Sequence, residues 1–325
     1  MRMDEYVSGA LKQISENCNP ILVGYGGSIA YGTNLPTSDV DIRGIYMNPL
    51  DEFIGMNNSE QYSPGDADIT IYSIKKIFNL LSQCNPNVIE MLGLKPEHYL
   101  LLTAEGKKIL ENSKLFLSQT VAKSFGGYAQ SQLNRLANKS GRALEKYGSN
   151  EVRSMRKAIL SIKDREKVKH LYVEEIDNVP YIYFSEKLPL DKFFSITGEL
   201  ANIHSDYKTN VRNTKAVEHS KLAKHMMHLL RLYMMGIDIL KDGEIITYRE
   251  KEHDLLMSIR NGEYLEEDGA TVKENFFGIL DYYKNEFEKA VSVTDLPKRP
   301  DMKKINQLMM EVVQDYYCAD IDFGD

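Results

Sequence analysis

The alternation of hydrophobic and polar positions changes character near residue 103. Before it, short apolar runs are broken by Gly, Pro and Asn, the punctuation of a chain that turns often. Asp4–Glu16 predicts a helix. Ile21–Gly24 predicts a strand, followed by a glycine-rich turn and a second strand over Asp39–Tyr46. Ile69, Thr70, Ile71 and Tyr72 are all β-branched or aromatic, so Asp68–Tyr72 predicts a third strand. From Ser73 onward Ile74, Ile77, Phe78 and Leu81 recur at helical spacing. Asn85-Pro86-Asn87 breaks that helix, and Asn87 is placed to cap a short one carrying Val88 to Leu92.

Beyond residue 103 long helical patterns take over: Ala104–Asn112, Ser118–Tyr147, Glu151–Glu166, Phe193–Asp206, Lys215–Lys241, His253–Asn261 and Thr271–Val291. Lys169–Phe184 interrupts them, where KHLYVEE and VPYIYF flank IDN in the manner of a hairpin. The expected fold class is α+β, with a mixed sheet and flanking helices over 1–103 and a mainly helical domain over 104–325. No internal repeat or low-complexity tract appears, and Asp320–Asp325 reads as a short acidic tail.

Composition narrows this picture. With 325 residues, 42% hydrophobic and 27% charged, the chain can bury a core without disulfide or metal staples. Asp and Glu number 47 against 40 Lys and Arg, a formal charge of -7, so a non-specific polyanion binder is excluded. Any phosphate or nucleic-acid site must be a local cationic patch. Cys18, Cys84 and Cys318 form no CxxC pair, which argues against a disulfide framework or a thiolate zinc site. Asp4 and Glu5 stand where a signal peptide carries positive charge, and no run is long enough to span a membrane. A cytoplasmic protein with no membrane partner is expected.

The chemistry concentrates in Val23–Tyr46, V-G-Y-G-G-S-I-A-Y-G-T-N-L-P-T-S-D-V-D-I-R-G-I-Y. Gly26-Gly27-Ser28 follows a strand; glycines there let backbone N–H groups approach a phosphate, and Ser28 adds a hydroxyl. Neither a Walker A loop nor a GxGxxG motif is present. In Asp39-x-Asp41, residues two apart on a strand point to one face. Two like charges side by side are costly unless a cation joins them, and hard oxygen ligands suit Mg²⁺. Asp68, which opens DITIY, is the best third carboxylate, with Asp66 the runner-up. Taken alone, Asp39 reads equally well as a cap or turn residue after Pro36-Thr37-Ser38.

A strand, a Gly-Ser turn, an Asp-x-Asp strand and a later Asp strand together resemble the nucleotidyltransferase superfamily of DNA polymerase β. More narrowly, GSIAYGTNLPTSDVDIRGIY is similar to the predicted bacterial and phage nucleotidyltransferases linked to RNA repair. So are DITIYSIKKIFNLLSQCNPNVIEML, KSFGGYAQSQLNRL, KLAKHMMHLLRLYMMGIDIL and LLMSIRNGEY, and more weakly LPKRPDMKKIN. The resemblance implies that Gly27 and Ser28 hold the triphosphate of an NTP. It implies that Asp39, Asp41 and Asp68 bind two Mg²⁺ ions, with Mn²⁺ as a substitute, and that Asp68 helps activate the acceptor hydroxyl. An NMP would pass to that hydroxyl with release of pyrophosphate. Arg43 shares the strand face of Asp41; a phosphate partner and a salt bridge orienting the Asp pair are both open readings.

Cations gather on the predicted helix Lys215–Lys241. Lys221, Lys224, His225, His228 and Arg231 share one face, opposite Leu222, Met226, Leu229, Leu230, Tyr233 and Ile237. From the residues alone this is a solvated face or a phosphate grip; the resemblance of K-H-x-x-H-x-x-R favours the grip, shared by Lys221, His225, His228 and Arg231. The two histidines lack the partners of a zinc site. Asn87-x-x-Glu90 has the spacing of a capping box, with Glu90 a candidate supporting residue behind the site. Phe125, Tyr128 and Gln132 stand as core or base-contacting residues, and His204, Asp206 and Lys208 carry no assignment. The acceptor is open between an RNA end, a protein side chain and a small-molecule hydroxyl. A catalytically silent nucleotide-binding module is the non-enzymatic alternative; a histidine-rich phosphohydrolase is disfavoured, since His253-Asp254 is the single His-Asp pair.

Overall fold

A computed structural model describes residues 3–56, 59–65, 68–139, 171–176, 179–184, 187, 189–198, 201, 219–267 and 271–318. Asp66, His204, Asp206, Lys208, the predicted helix 151–166 and the acidic tail lie outside them. The chain divides into two compact units, one of Met1–Ser131, Met227–Ser258 and Gly278–Asp325, the other of Gln132–Met226 and Ile259–Phe277. The change of pattern at 103 separates strand-rich from helix-rich sequence; the compact units instead gather distant stretches of chain.

The first unit opens with α1 (Met3–Asn17), β1 (Asn19–Tyr25), α2 (Gly27–Ala30), β2 (Ile42–Met47) and α3 (Leu50–Ile54). It continues through β3 (Gln61–Tyr62), β4 (Ile69–Ser73), α4 (Ile74–Ser82), α5 (Pro86–Ile89), β5 (Tyr99–Leu102) and α6 (Ala104–Glu111). The strands form one mixed five-stranded sheet in the order β3-β4-β2-β1-β5. β1 is antiparallel to β2 and β5, whereas β2 and β4 run parallel. The fold is thus α+β, as the pattern predicts.

One face of the sheet is closed by α1, whose Ala10 and Ile14 cluster with Val23, Ile42, Tyr46, Ile69 and Ile71. α4 buries Ile74, Ile77, Phe78 and Leu81, the stripe read from the sequence. Its Phe78 meets Phe116 edge to face at 5.3 Å. Burying a side chain of that size contributes roughly 1.5–3 kcal/mol. Ser73 caps α4 by accepting from the Lys76 amide at 3.3 Å.

Several boundaries differ from expectation. β2 begins at Ile42 and not at Asp39, because Leu35–Ser38 closes a turn through the Leu35 amide and Ser38 Oγ at 2.8 Å. Asn85, not Asn87, caps α5, with Pro86 in its first turn, where the missing N–H costs nothing. β5 was not predicted, its Tyr-Leu-Leu-Leu lacking both alternation and turn signals.

The long helix α7 spans Thr120–Lys139. The hairpin expected over 169–184 is present as β6 (Leu171–Ile176) antiparallel to β7 (Val179–Phe184), followed by a helical stretch over 190–198. The remaining helices are α8 (His219–Asp242), α9 (His253–Arg260), α10 (Glu274–Val293) and α11 (Met302–Cys318). α11, also unpredicted, packs on α4 and α6, and Lys108 bridges to its Asp315 at 2.8 Å and Glu311 at 3.4 Å. Within the second unit Tyr264 lies against Phe276 at 6.2 Å. Among the described residues no helix is long and apolar enough to cross a membrane.

Candidate active site

Parallel pairing of β2 with β4 is the origin of the site. Ile42 is in register with Ile69, and the Ile42 amide donates to the Asp68 carbonyl at 2.8 Å. Asp41 and Asp68 therefore stand at matching positions, each immediately before its strand. Asp39 lies two residues upstream of Asp41 and is exposed, as is Asp68, while Asp41 is half-buried.

The Gly-Ser turn sits directly on Asp41. The Gly26 amide donates to the Asp41 carbonyl at 2.8 Å. Gly27 has φ +54°, a conformation that favours glycine, and a Cβ there would fall 1.9 Å from Asp41 Oδ2. Ser28 is half-buried in α2, and its carbonyl accepts from the Thr33 amide at 2.8 Å. Glycine is thus needed at 27 for both backbone conformation and the closeness of the carboxylate.

Electrostatically this corner is under-compensated. Burial pushes the Asp41 carboxyl above the usual aspartate range, and Arg43 pulls it back from 3.5 Å. Asp68 and Asp39 push it further up, and Arg231 again lowers it. Like charges are thus close enough to disfavour one another's ionised form. Arg43 also donates to Thr70 Oγ1 at 3.3 Å and to the Asp68 carbonyl at 3.4 Å, so one guanidinium ties the two strand ends together. Of the two readings of Arg43, the carboxylate salt bridge is the one formed here.

The donor chemistry of Asp39, Asp41 and Asp68 fits a hard divalent cation, and a cation would offset the burial and the like charges that together lift Asp41. As the side chains stand, no group of three or more His, Cys, Asp or Glu among the described residues is arranged to hold a metal ion. Asp41 is turned toward Arg43 instead.

Helix α8 is more buried than a two-faced helix would be. Leu222, Met226, Leu229, Leu230 and Tyr233 are buried as expected, but so are Leu232, Met234, Met235 and Arg231. Lys224 is exposed, and His225 and His228 are half-buried. The side chain of Lys221 lies outside the described ones. The Tyr128 ring meets His228 edge-on at 5.6 Å. Phe125 is core, and Gln132 is buried.

Arg231 acts on the Asp41 and Glu90 carboxylates, and it does so from inside the protein. At 6% exposure it lies with Cζ 3.4 Å above the Tyr31 ring. Tyr31 in turn donates its hydroxyl to Glu90 Oε2 at 2.7 Å. Burial lifts the Glu90 carboxyl, while Arg231, the Tyr31 hydroxyl and Arg43 hold it down. Glu90 therefore does not close a capping box with Asn87; its side chain goes to Tyr31. Tyr31 has no signature in the sequence, because its partners lie 59 and 200 positions away. Helical spacing alone reads it as one more apolar residue after the turn.

Comparison with known proteins supplies a relationship. A protein of Enterobacteria phage T4, described as an uncharacterized 38.9 kDa protein in the nrdC-mobD intergenic region, is 31% identical over 135 residues. That similarity takes in 38% of this chain and 40% of the phage protein's length. The RNA repair pathway DNA polymerase beta family matches residues 3–311, nearly the whole chain, including the turn, all three carboxylates and α8. A match of that extent points to a nucleotidyltransferase-like protein, and the chain belongs to the RNA repair pathway DNA polymerase beta family.

Proposed function

We propose that the protein is a Mg²⁺-dependent nucleotidyltransferase that moves an NMP from an NTP to the hydroxyl of an RNA end. The observation that carries this reading is the register of β2 and β4, which sets Asp41 beside Asp68 and presses the Gly26–Ser28 turn onto Asp41. RNA is preferred as acceptor because the matching family is described by RNA repair.

Asp39, Asp41 and Asp68 would hold Mg²⁺, or Mn²⁺ in its place, after Asp41 turns from Arg43. The metal, when bound, supplies charge to neutralise the phosphates and the attacking and leaving oxygens. The amides around Gly27 and the Ser28 hydroxyl receive the triphosphate and orient its α-phosphorus. Asp68 accepts the proton of the acceptor hydroxyl as its oxygen bonds to that phosphorus. The bond from the α-phosphorus to the bridging oxygen breaks, and pyrophosphate leaves. Arg43, released from Asp41, would meet the phosphate charge. Lys221, His225, His228 and Arg231 share one helix and are the remaining candidate phosphate contacts.

The test is incubation with each labelled NTP, Mg²⁺ and RNA or protein acceptors. Label on RNA together with pyrophosphate release, both lost in the Asp39→Ala, Asp41→Ala double variant, is the expected result. Label on protein alone would move the acceptor class, as the acidic net charge of -7 would favour. No transfer to any acceptor, with the double variant indistinguishable from wild type, would sink the enzyme reading and leave a nucleotide-binding module.

A further inference from the structure

Tyr31 directly follows α2, the short turn that carries Gly27 and Ser28. It is 4% exposed, and its ring and hydroxyl are gripped separately: Arg231 covers the ring and Glu90 accepts from the hydroxyl. Glu90 is itself tied, since Thr247 Oγ1 donates to its carbonyl at 2.6 Å. The neighbouring Gly32 is held as well. Its carbonyl lies 3.0 Å from His253 Nε2, and the Tyr248 ring would sit 2.4 Å from a Cβ at that position. Residues from Met227–Ser258 thus return to the first hundred residues and fix the exit of the Gly-Ser turn at consecutive positions.

The chemistry of this contact is unusual for plain core packing. Arg231 has a buried Nε without a hydrogen-bond partner, and its Nη2 lies 3.5 Å from His228 Nδ1. A guanidinium desolvated to this degree is costly, so its place over Tyr31 is retained by stacking and by the attraction of Glu90 and Asp41. Lysine has no planar face to replace it.

We infer that Tyr31, Glu90 and Arg231 form a buried strut that sets the position of the Gly26–Ser28 turn, making Arg231 a positioning residue as well as the charge behind Asp41. This deepens the proposed function and rests on the turn being the triphosphate cradle. Its consequence is that nucleotide binding depends on Tyr31 and Glu90, which lie behind the turn, and on Arg231 through its place over Tyr31. Tyr31→Phe removes one hydroxyl and keeps the stacked ring. Arg231→Lys keeps the charge and removes the stack. Each is expected to weaken NTP binding roughly tenfold, the scale of one lost hydrogen bond to a charged group. KM would rise with little change in kcat. The double variant Tyr31→Phe, Glu90→Gln would be no worse than the poorer single variant, because both break the same link.

A readout that needs no nucleotide separates this inference from the function itself. Amide hydrogen exchange over residues 26–33 should speed up in Tyr31→Phe and Arg231→Lys relative to wild type, at temperatures where both remain folded. If wild type binds no NTP yet exchange rises there, the functional reading fails and the strut stands. If exchange over 26–33 is unchanged, or both variants lose only thermal stability while NTP affinity and the KM to kcat split stay at wild-type values, the strut is overturned.

Discussion

Two groups of charges in this protein are treated differently. At the strand ends, Asp39 and Asp68 are exposed and Asp41 is half-buried, with Arg43 at 3.5 Å as its close ion-pair partner. Deeper in, Arg249 is 3% exposed and meets Asp238 at 2.5 Å, while Glu90 is served by Tyr31 and Arg231. The buried charges are matched because an isolated one would be prohibitive in a medium of low polarity. At the rim, like charges stay adjacent, and burial, with Asp68 and Asp39 adding to it, raises the Asp41 carboxyl without stabilising the fold. Charge buried in the fold is paired within the chain; the carboxylates at the strand ends stay half-solvated and crowded by one another.

The largest effect that would sharpen this contrast is expected at Asp41. Asp41→Asn keeps the shape and removes the charge, so transfer should fall by at least about 10³-fold, near 4 kcal/mol of transition-state stabilisation. The same change should leave the thermal midpoint unchanged or raise it, since it relieves repulsion from Asp68 and Asp39. Activity and thermal unfolding measured on one preparation check both halves. A large loss of stability would mean that Asp41 belongs to the structural set.

The next effect runs the other way. Asp238→Ala leaves Arg249 buried without its carboxylate, and Arg249 Nε and Nη2 already lack partners. Breaking a buried pair costs about 3–5 kcal/mol, readable as a lower urea midpoint. Asp39→Ala, at an exposed position, should stay within about 0.5 kcal/mol of wild type. Equal costs for the two variants would break the comparison.

Much of the rim was legible in the sequence, and much of the interior was not. Gly26-Gly27-Ser28 is a local pattern whose residue types state their own need for a tight turn, and Asp39-x-Asp41 places two carboxylates close together, although both precede β2 and do not lie on it. Asp68 was readable because it opens a β-branched run. The interior pairs join residues far apart in sequence, Tyr31 to Glu90 and Arg231, and Thr247 to Glu90. No window of residues contains such a pair, and an arginine at helical spacing reads as solvent-facing until the tertiary contact is known. The unpredicted Met302–Cys318 helix shows the same limit at the level of elements: its apolar positions Ile305, Leu308 and Val312 are few and gain meaning only against α4 and α6.

The smallest expected effect tests whether exposure, rather than pairing itself, decides what an ion pair contributes. Glu286 accepts from Lys289 Nζ at 2.8 Å and Lys241 Nζ at 2.9 Å, a better-furnished site than Asp41 has. These lysines hold its carboxyl down at about 2, so in the folded protein it stays charged where an unfolded glutamate would be protonated. A depressed carboxyl contributes stability that is present above the ordinary glutamate value and is lost as pH falls toward about 2. Glu286→Gln should therefore lower stability at neutral pH and flatten the acid limb of the unfolding curve, the two proteins converging as pH falls toward about 2. Because solvent reaches these groups, the difference should fade at about 1 M salt, where the screening length is roughly 3 Å. The Arg249–Asp238 contribution should survive the same salt. If the Glu286 effect resisted salt as the buried pair does, distance and partner number would outweigh burial in deciding what an ion pair contributes.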